Sequence, residues 1–239
     1  MVQRTDERGF KRLKRREFLK LTPVLVLGAF ALPSFREPLL NAGVRFSDWA
    51  SGGLFRPGHP APTFADSEVT PFEKFPINDY DVDDPEVDLE HWTLNVSGAV
   101  QKPGAYTLEQ IKALPRVRQN VRHVCVEGWD VIGSYTGTPL REFLSMIGVD
   151  PAARFIQVEC ADDYYESLDI ATANHRQTLL CYDMYDRPLT REHGAPLRLN
   201  VPTKIGYKQA KYLTSLKVTH VLERAGYWED QGYSWFYGL

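Results

Sequence analysis

The period of apolar and polar positions changes several times along this chain, and the changes divide it. Leu21 to Phe35 is an uncharged run of 15 residues between basic Lys20 and Arg36. That is shorter than the ~18 or more apolar residues expected of a membrane-spanning helix. From Pro33 to Pro76 the chain carries seven prolines and no sustained period, with Ser51-Gly52-Gly53 and Pro57-Gly58-His59-Pro60 as further breaks. This predicts an irregular linker over 32–68, ahead of a domain over 69–239 whose periodic part begins near Glu90. There Trp92, Leu94 and Val96 alternate with Thr93, Asn95 and Ser97, the mark of a half-buried strand. Pro103-Gly104 turns the chain, and Thr107-Leu108-Glu109-Gln110 is a capping box that opens a short helix stopped by Pro115.

Asn120 to Val126 reads as a strand ending near Cys125. Thr138-Pro139 then starts a helix with Leu140, Phe143, Leu144 and Ile147 on one face, closed by Gly148. Further strands are expected over Arg154–Cys160, Tyr165–Ile170, Leu179–Met184, Leu197–Val201 and Leu213–Val221. Short strands interrupted by short helices predict a mixed α+β domain. The tail holds Tyr227, Trp228, Tyr233, Trp235, Phe236 and Tyr237, and its expected role is to pack the chain end onto the domain rather than to bind a ligand.

Composition changes this picture mainly at the N-terminus. Lys14-Arg15-Arg16-Glu17-Phe18-Leu19-Lys20 precedes the uncharged run, and a basic segment followed by a short apolar one is the layout of an export signal. The arginine pair with Phe18 and Leu19 in register points to the twin-arginine route rather than to an ordinary basic amphipathic terminus, although Lys14 stands where Ser or Thr is usual. Ala29-Phe30-Ala31 offers a cleavage site, giving a signal peptide over 1–31 and a periplasmic location; Pro33 close behind leaves an uncleaved anchor as the alternative. The twin-arginine export machinery carries folded chains, so the leader predicts a protein that acquires a cofactor before export. Residues 1–31 hold eight Lys/Arg and three Asp/Glu, so their removal moves the formal charge from −3 to −8. An acidic chain without basic patches excludes nucleic acid as a partner. Three cysteines (Cys125, Cys160, Cys181) are too few for a disulfide scaffold and too widely spaced for a zinc site. Either Cys160 and Cys181 form a bridge, or both are buried free thiols.

Walker, G-x-S-x-G, H-E-x-x-H, G-x-G-x-x-G and C-x-x-C-H motifs are all absent. What remains is Arg122-His123-Val124-Cys125-Val126-Glu127-Gly128-Trp129, in which Arg122 and His123 would favour a thiolate, the form that binds a soft metal. A second candidate runs from His193 through Arg198 and Pro202 into Lys204, Gly206, Lys208 and Lys211. Cations gathered around a glycine suit an anionic group, and equally a solvated basic face.

Together these pieces resemble the sulfite-oxidase-type molybdopterin domain, over about Val69 to Leu239. Cys125-Val126-Glu127-Gly128-Trp129 is most similar to the periplasmic methionine-sulfoxide reductase branch. The resemblance implies that Cys125 is the molybdenum ligand and that Tyr164, in Tyr164-Tyr165-Glu166-Ser167-Leu168, is an active-site tyrosine, a candidate hydrogen-bond donor to a metal-bound oxygen or to the substrate. It implies that Leu179–Met184 and His193–Pro202 wrap the pterin, and that Gly206–Leu213 cradles its phosphate. His193, Arg198, Lys204, Gly206, Lys208, Lys211 and, from the N-terminal loop, Asn78 are then the cofactor-binding residues. The implied activity is two-electron oxygen-atom transfer, with electrons exchanged with a separate membrane haem partner. Sulfite oxidases carry arginines before the loop asparagine and after the metal cysteine; here stand Ile77 and Glu127-Gly128-Trp129-Asp130. A sulfite dianion needs such cations, so the expected substrate is a neutral S-oxide, free or protein-bound. Their additional dimerisation domain has no counterpart before Leu239, and Phe75-Pro76-Ile77-Asn78-Asp79-Tyr80 matches the paired-asparagine loop of the reductases only in part. The alternatives are a sulfite-oxidase-type enzyme and a non-catalytic pterin-binding module.

Overall fold

A computed structural model describes residues 33–54, 59–78 and 84–236. The signal peptide expected over 1–31 lies outside them. The chain divides between Ser47 and Asp48, and every strand falls in the second part.

Two sheets make up that part. The first has strands β1 (Thr93–Gly98), β2 (Gly104–Thr107), β5 (Phe155–Cys160), β6 (Tyr165–Asp169) and β10 (Leu213–Thr219), in the order β2-β1-β10-β5-β6. Only β1 and β10 are parallel, so the last strand is laid between the first strand and β5. The second sheet is antiparallel and runs β3 (Val117–Val124), β4 (Asp130–Pro139), β7 (Leu179–Met184), β8 (Arg187–Pro188), with β9 (Arg198–Asn200) also on β7. The main core joins Leu94 and Val96 of β1, Ile156 and Val158 of β5 and Leu216 and Val218 of β10 to the apolar stripe of α3 (Leu140–Ile147). A smaller core around Val121, Tyr135, Leu179 and Cys181 lies in the second sheet, where Phe75 joins it. The mixed α+β class expected from the pattern is the class observed.

Local signals are realised closely. Thr107 Oγ1 accepts the Gln110 N–H and the Gln110 side chain returns to the Thr107 N–H, which starts α2 (Leu108–Lys112). Gly148 ends α3 at φ 69°, a left-handed position that spares its Cβ-free residue any strain. The three cysteines are free and buried; Cys160 stands in the first sheet and Cys181 in the second.

Two expectations are corrected. Pro33–Leu54 is a helix, α1, and not irregular chain. Of the prolines of 33–76 only Pro33 and Pro38 fall within it, near its start, and the stretch Leu39–Leu54 has none, so its backbone donors remain available. The second correction is β4, unexpected because Gly133, Gly137 and Pro139 punctuate it. Those glycines answer to packing: a Cβ on Gly137 would lie 2.2 Å from the Leu180 carbonyl oxygen, so β4 and β7 can approach only without one.

The segment before β1 is a strap along the second sheet. Phe64 N–H donates to the Asn120 carbonyl at 3.1 Å and Thr70 N–H to that of Ile132 at 2.9 Å. Gln177 exchanges two hydrogen bonds with the backbone of Ala61. Short 3-10 turns at Asp66–Glu68 and Phe72–Lys74 then deliver Phe75, Pro76 and Asn78 to one end of the sheet.

Candidate active site

A cleft of about 470 Å³ opens where the β3–β4 hairpin, the strap, the loop before β9 and the chain between β9 and β10 meet. Cys125 sits in the hairpin turn just after β3. Its N–H donates to the Trp129 carbonyl at 2.9 Å, and Gly128, at φ 92°, takes the left-handed corner that closes the turn. Asn78 Nδ2 donates to Cys125 Sγ at 3.3 Å and to Glu127 Oε2 at 3.3 Å. Trp129 Nε1 donates to the same carboxylate oxygen at 2.9 Å. An amide and a carboxylate thus flank the thiol, and the indole holds the carboxylate.

The expected thiolate-favouring cations are placed differently. Arg122 Nε pairs with Asp130 at 2.6 Å, which spends its charge on the outer face of the hairpin. His123 is buried against Trp129, with ring centroids 5.7 Å apart, and burial together with the nearby Arg198 lowers its pKa to about 3. It is therefore neutral near pH 7. Burial and the Glu127 carboxylate raise the Cys125 pKa, against hydrogen bonds that lower it. The protein alone does not activate this sulfur; a bound metal deprotonates a coordinating thiol outright.

Across the cleft Arg198 is buried, and its guanidinium donates to the carbonyls of His193 at 3.0 Å and Gln209 at 3.3 Å. Among the described residues it forms no ion pair with a carboxylate. A buried cation without a counter-anion is costly, so its setting suits an anionic ligand. Gln209 adds a buried Nε2 without a hydrogen-bond partner in the protein. His193 stacks edge-on against Phe72 and Phe75, and burial with the charges of Arg198 and Lys211 lowers its pKa to about 4. Gly206 passes so close to the hairpin that a Cβ would stand 3.0 Å from both His123 Nε2 and the Val124 carbonyl.

Seven of the nine residues expected at the site line this cleft: Asn78, Cys125, Tyr164, His193, Arg198, Gly206 and Lys211. Lys204 and Lys208 do not. Both are buried beyond its floor, Lys204 Nζ at 2.5 Å from the Phe236 carbonyl and Lys208 Nζ at 2.7 Å from Glu166. A buried ammonium needs an oxygen partner, and the tail and β6 supply it from the far side. Tyr164 is at the wall, and its hydroxyl donates to the Tyr207 carbonyl at 2.7 Å. Sequence reasoning did not single out Gln209, Asp162, Trp228 or Tyr233, which also line the cleft. Gln209 lay within a run already marked by its cations; Trp228 and Tyr233 belong to the tail that was assigned to packing.

A cysteine sulfur facing a buried cation and an unpaired amide is a fit for a metal carried by an anionic organic group. Among the described residues no three His, Cys, Asp or Glu side chains are grouped to hold a metal by themselves. The family model for the oxidoreductase molybdopterin binding domain matches residues 81–228. The chain belongs to this family. It is a molybdenum-dependent oxidoreductase with molybdopterin as its cofactor. It is 45% identical over 204 residues to the proposed protein-methionine-sulfoxide reductase subunit YedZ1 of Azospira oryzae, covering 84% of this chain and 77% of that one. It is 32% identical over 158 residues to the protein-methionine-sulfoxide reductase catalytic subunit MsrP of Xanthomonas campestris pv. campestris, covering 59% of this chain and 49% of the relative. The chain thus spans about half the length of that MsrP. Among solved structures, the sulfane dehydrogenase SoxCD from Paracoccus pantotrophus matches with a TM-score of 0.55 at 23% identity, over 58% of this chain and 40% of that one, a likeness of fold.

Proposed function

We propose that the protein is an exported reductase of S-oxides of the methionine type, with Cys125 as the protein's ligand to molybdenum. The observation that carries this reading is the company of the thiol. The hydrogen-bond partners of Cys125 Sγ are Asn78 and Glu127, neither of them a cation; Trp129 holds the Glu127 carboxylate, and Ile77 beside Asn78 is exposed. A carboxylate 3.7 Å from the sulfur repels a dianion such as sulfite and tolerates a neutral S=O. The names of the relatives point to the same substrate class.

When bound, the cofactor supplies two-electron redox with transfer of an oxygen atom. This chain does the rest. Arg198, Lys211 and Gln209 are placed to hold the anionic end of the pterin, and His193 packs the loop that carries Arg198's carbonyl partner. Asn78 orients Cys125 through its amide, and Tyr164 fixes the Tyr207 backbone at the cleft wall. Reduction of an S-oxide consumes two electrons and two protons and yields a thioether and water. The electrons come from a separate partner, for which a membrane haem protein is the candidate. No described helix is long and apolar enough to cross a membrane. The twin-arginine leader supports action in the periplasm.

Metal and pterin analysis of protein made with ample molybdenum, followed by viologen-driven turnover of methionine S-oxide, tests the reading. The expected result is one molybdenum per chain and S-oxide-dependent oxidation of the viologen. Cys125→Ser, with a harder oxygen ligand, should keep part of its pterin but lose the native metal signal and turnover. Wild-type turnover with an unchanged metal spectrum in that variant would show Cys125 to be a packing residue. Oxidation of sulfite without reduction of S-oxides would assign the sulfite-oxidase reaction instead, and pterin without turnover of either would leave a binding module.

A further inference from the structure

The two lysines missing from the cleft are engaged elsewhere, and both hold the segment Gly226–Phe236. Lys208 Nζ is shared between Glu166 of β6, at 2.7 Å, and Glu229 of the helical turn Tyr227–Asp230. Lys204 Nζ lies 3.1 Å from the centre of the Phe236 ring while bonding that residue's carbonyl. Between them Tyr207 donates its hydroxyl to the Ser234 carbonyl at 2.5 Å. From β6, Ser167 Oγ accepts the Trp235 indole N–H at 2.7 Å. Lys204, Tyr207 and Lys208 come from one short stretch, 204–209, of which Gly206, Tyr207 and Gln209 line the cleft. Burial raises the Glu166 carboxyl to about 8, and the Lys208 ammonium beside it acts in the opposite direction.

The rings of the segment divide by direction. Trp235 packs edge-on against Phe155 and Phe236 takes the Lys204 ammonium. Trp228 and Tyr233 instead line the cleft, with ring centroids 5.4 Å apart, and Tyr233 lies 5.9 Å from Tyr207. Tyr233 keeps 38% of its surface exposed, which is more than packing of a chain end needs. A buried ion cluster is a poor source of stability but a good way to define one geometry. The family match ends at residue 228, so Tyr233 and most of the anchors on the tail side lie beyond it.

We propose that Gly226–Phe236 is a wall of the substrate entrance, on which Trp228 and Tyr233 receive the apolar groups flanking the S=O of a methionine-type S-oxide, and that Lys208 and Lys204 are positioning residues that latch this wall over the cleft. This rests on the S-oxide reading above. The carbons next to a polarised sulfur are electron-poor and suit the negative faces of aromatic rings.

Glu229→Gln keeps the shape of the latch and removes one carboxylate. It should speed hydrogen exchange across 226–236 and raise KM for a peptide methionine S-oxide by roughly three- to tenfold, with kcat within about twofold and with parental molybdenum and pterin content. Trp228→Leu should raise KM similarly while the exchange of the segment stays parental. Lys208→Met should retain pterin. Parental KM and exchange in Glu229→Gln would overturn the latch, and parental KM in Trp228→Leu would overturn the recognition face. Loss of pterin in Lys208→Met would return that lysine to the phosphate and overturn its latch role. If the unmodified protein binds molybdenum and pterin yet reduces no S-oxide, the substrate reading fails, and the latch is still judged by hydrogen exchange alone.

Discussion

At the scale of single residues, the site is decided by which charges are left without a partner. Arg198 sits under the cleft with its donors on three backbone carbonyls and no carboxylate among the described residues, while Arg122, on β3, is neutralised by Asp130. Arg198 therefore has two tasks, to join the His193 loop to Gln209 and to present positive charge. Arg198→Ala removes both; with charge-assisted bonds at about 1.5–3 kcal/mol each, retained pterin should fall at least tenfold. Arg198→Lys keeps the charge but not the fork, and should retain an intermediate amount. Pterin released from equal masses of the three proteins is the measurement; parental retention in Arg198→Ala would remove this residue from the cofactor site. That Arg198 matters was legible in its motif. That Arg122 does not serve Cys125 was not, because an arginine's partner depends on the hairpin register, which sets Asp130 opposite Val124 and so diagonal to Arg122.

At the scale of elements, the β3–β4 hairpin carries the sulfur, and its fit against β7 depends on a missing side chain. A methyl group on Gly137 would meet Leu180 and Cys181 backbone atoms at 2.2 and 2.7 Å, and backbone cannot step aside as a flexible side chain does. Gly137→Ala should lower stability by about 1–3 kcal/mol or more, seen as a lower Tm and a reduced fraction of molybdenum-loaded protein. An unchanged Tm would mean that the two strands separate without cost. The same glycines that permit β4 concealed it, since a strand with Gly133, Gly137 and Pro139 has the composition of a turn. By contrast β1, α2 and α3 announced themselves, because alternation, a capping box and a left-handed glycine are local in cause.

At the scale of the whole molecule, the chain has a basic leader and an acidic remainder, at −8 once residues 1–31 are set aside. Export of a folded, cofactor-loaded protein is the expectation from Arg15-Arg16. Replacing both by lysine should leave molybdenum-loaded protein in the cytoplasm, read by fractionation and metal analysis. Normal delivery to the periplasm in that variant would remove the twin-arginine assignment.

The sequence by itself determined the α+β class, most of the strands, the cysteine that faces the cleft and the run of cations between Arg198 and Lys211. Each of these has a short-range cause, in period, capping or a motif read residue by residue. Tertiary structure alone decided how the four cations divide: Arg198 and Lys211 to the cleft, Lys204 and Lys208 to the tail. In the chain they are equivalent basic residues. Their fates differ because oxygen partners arrive from distant positions on one side of the 204–209 stretch, Glu166 and Glu229 for Lys208 and the Phe236 carbonyl with Asp169 for Lys204, and a buried charge goes where its partner is. The same long-range meeting turned Trp228 and Tyr233 toward the cleft, which no period within an aromatic tail specifies.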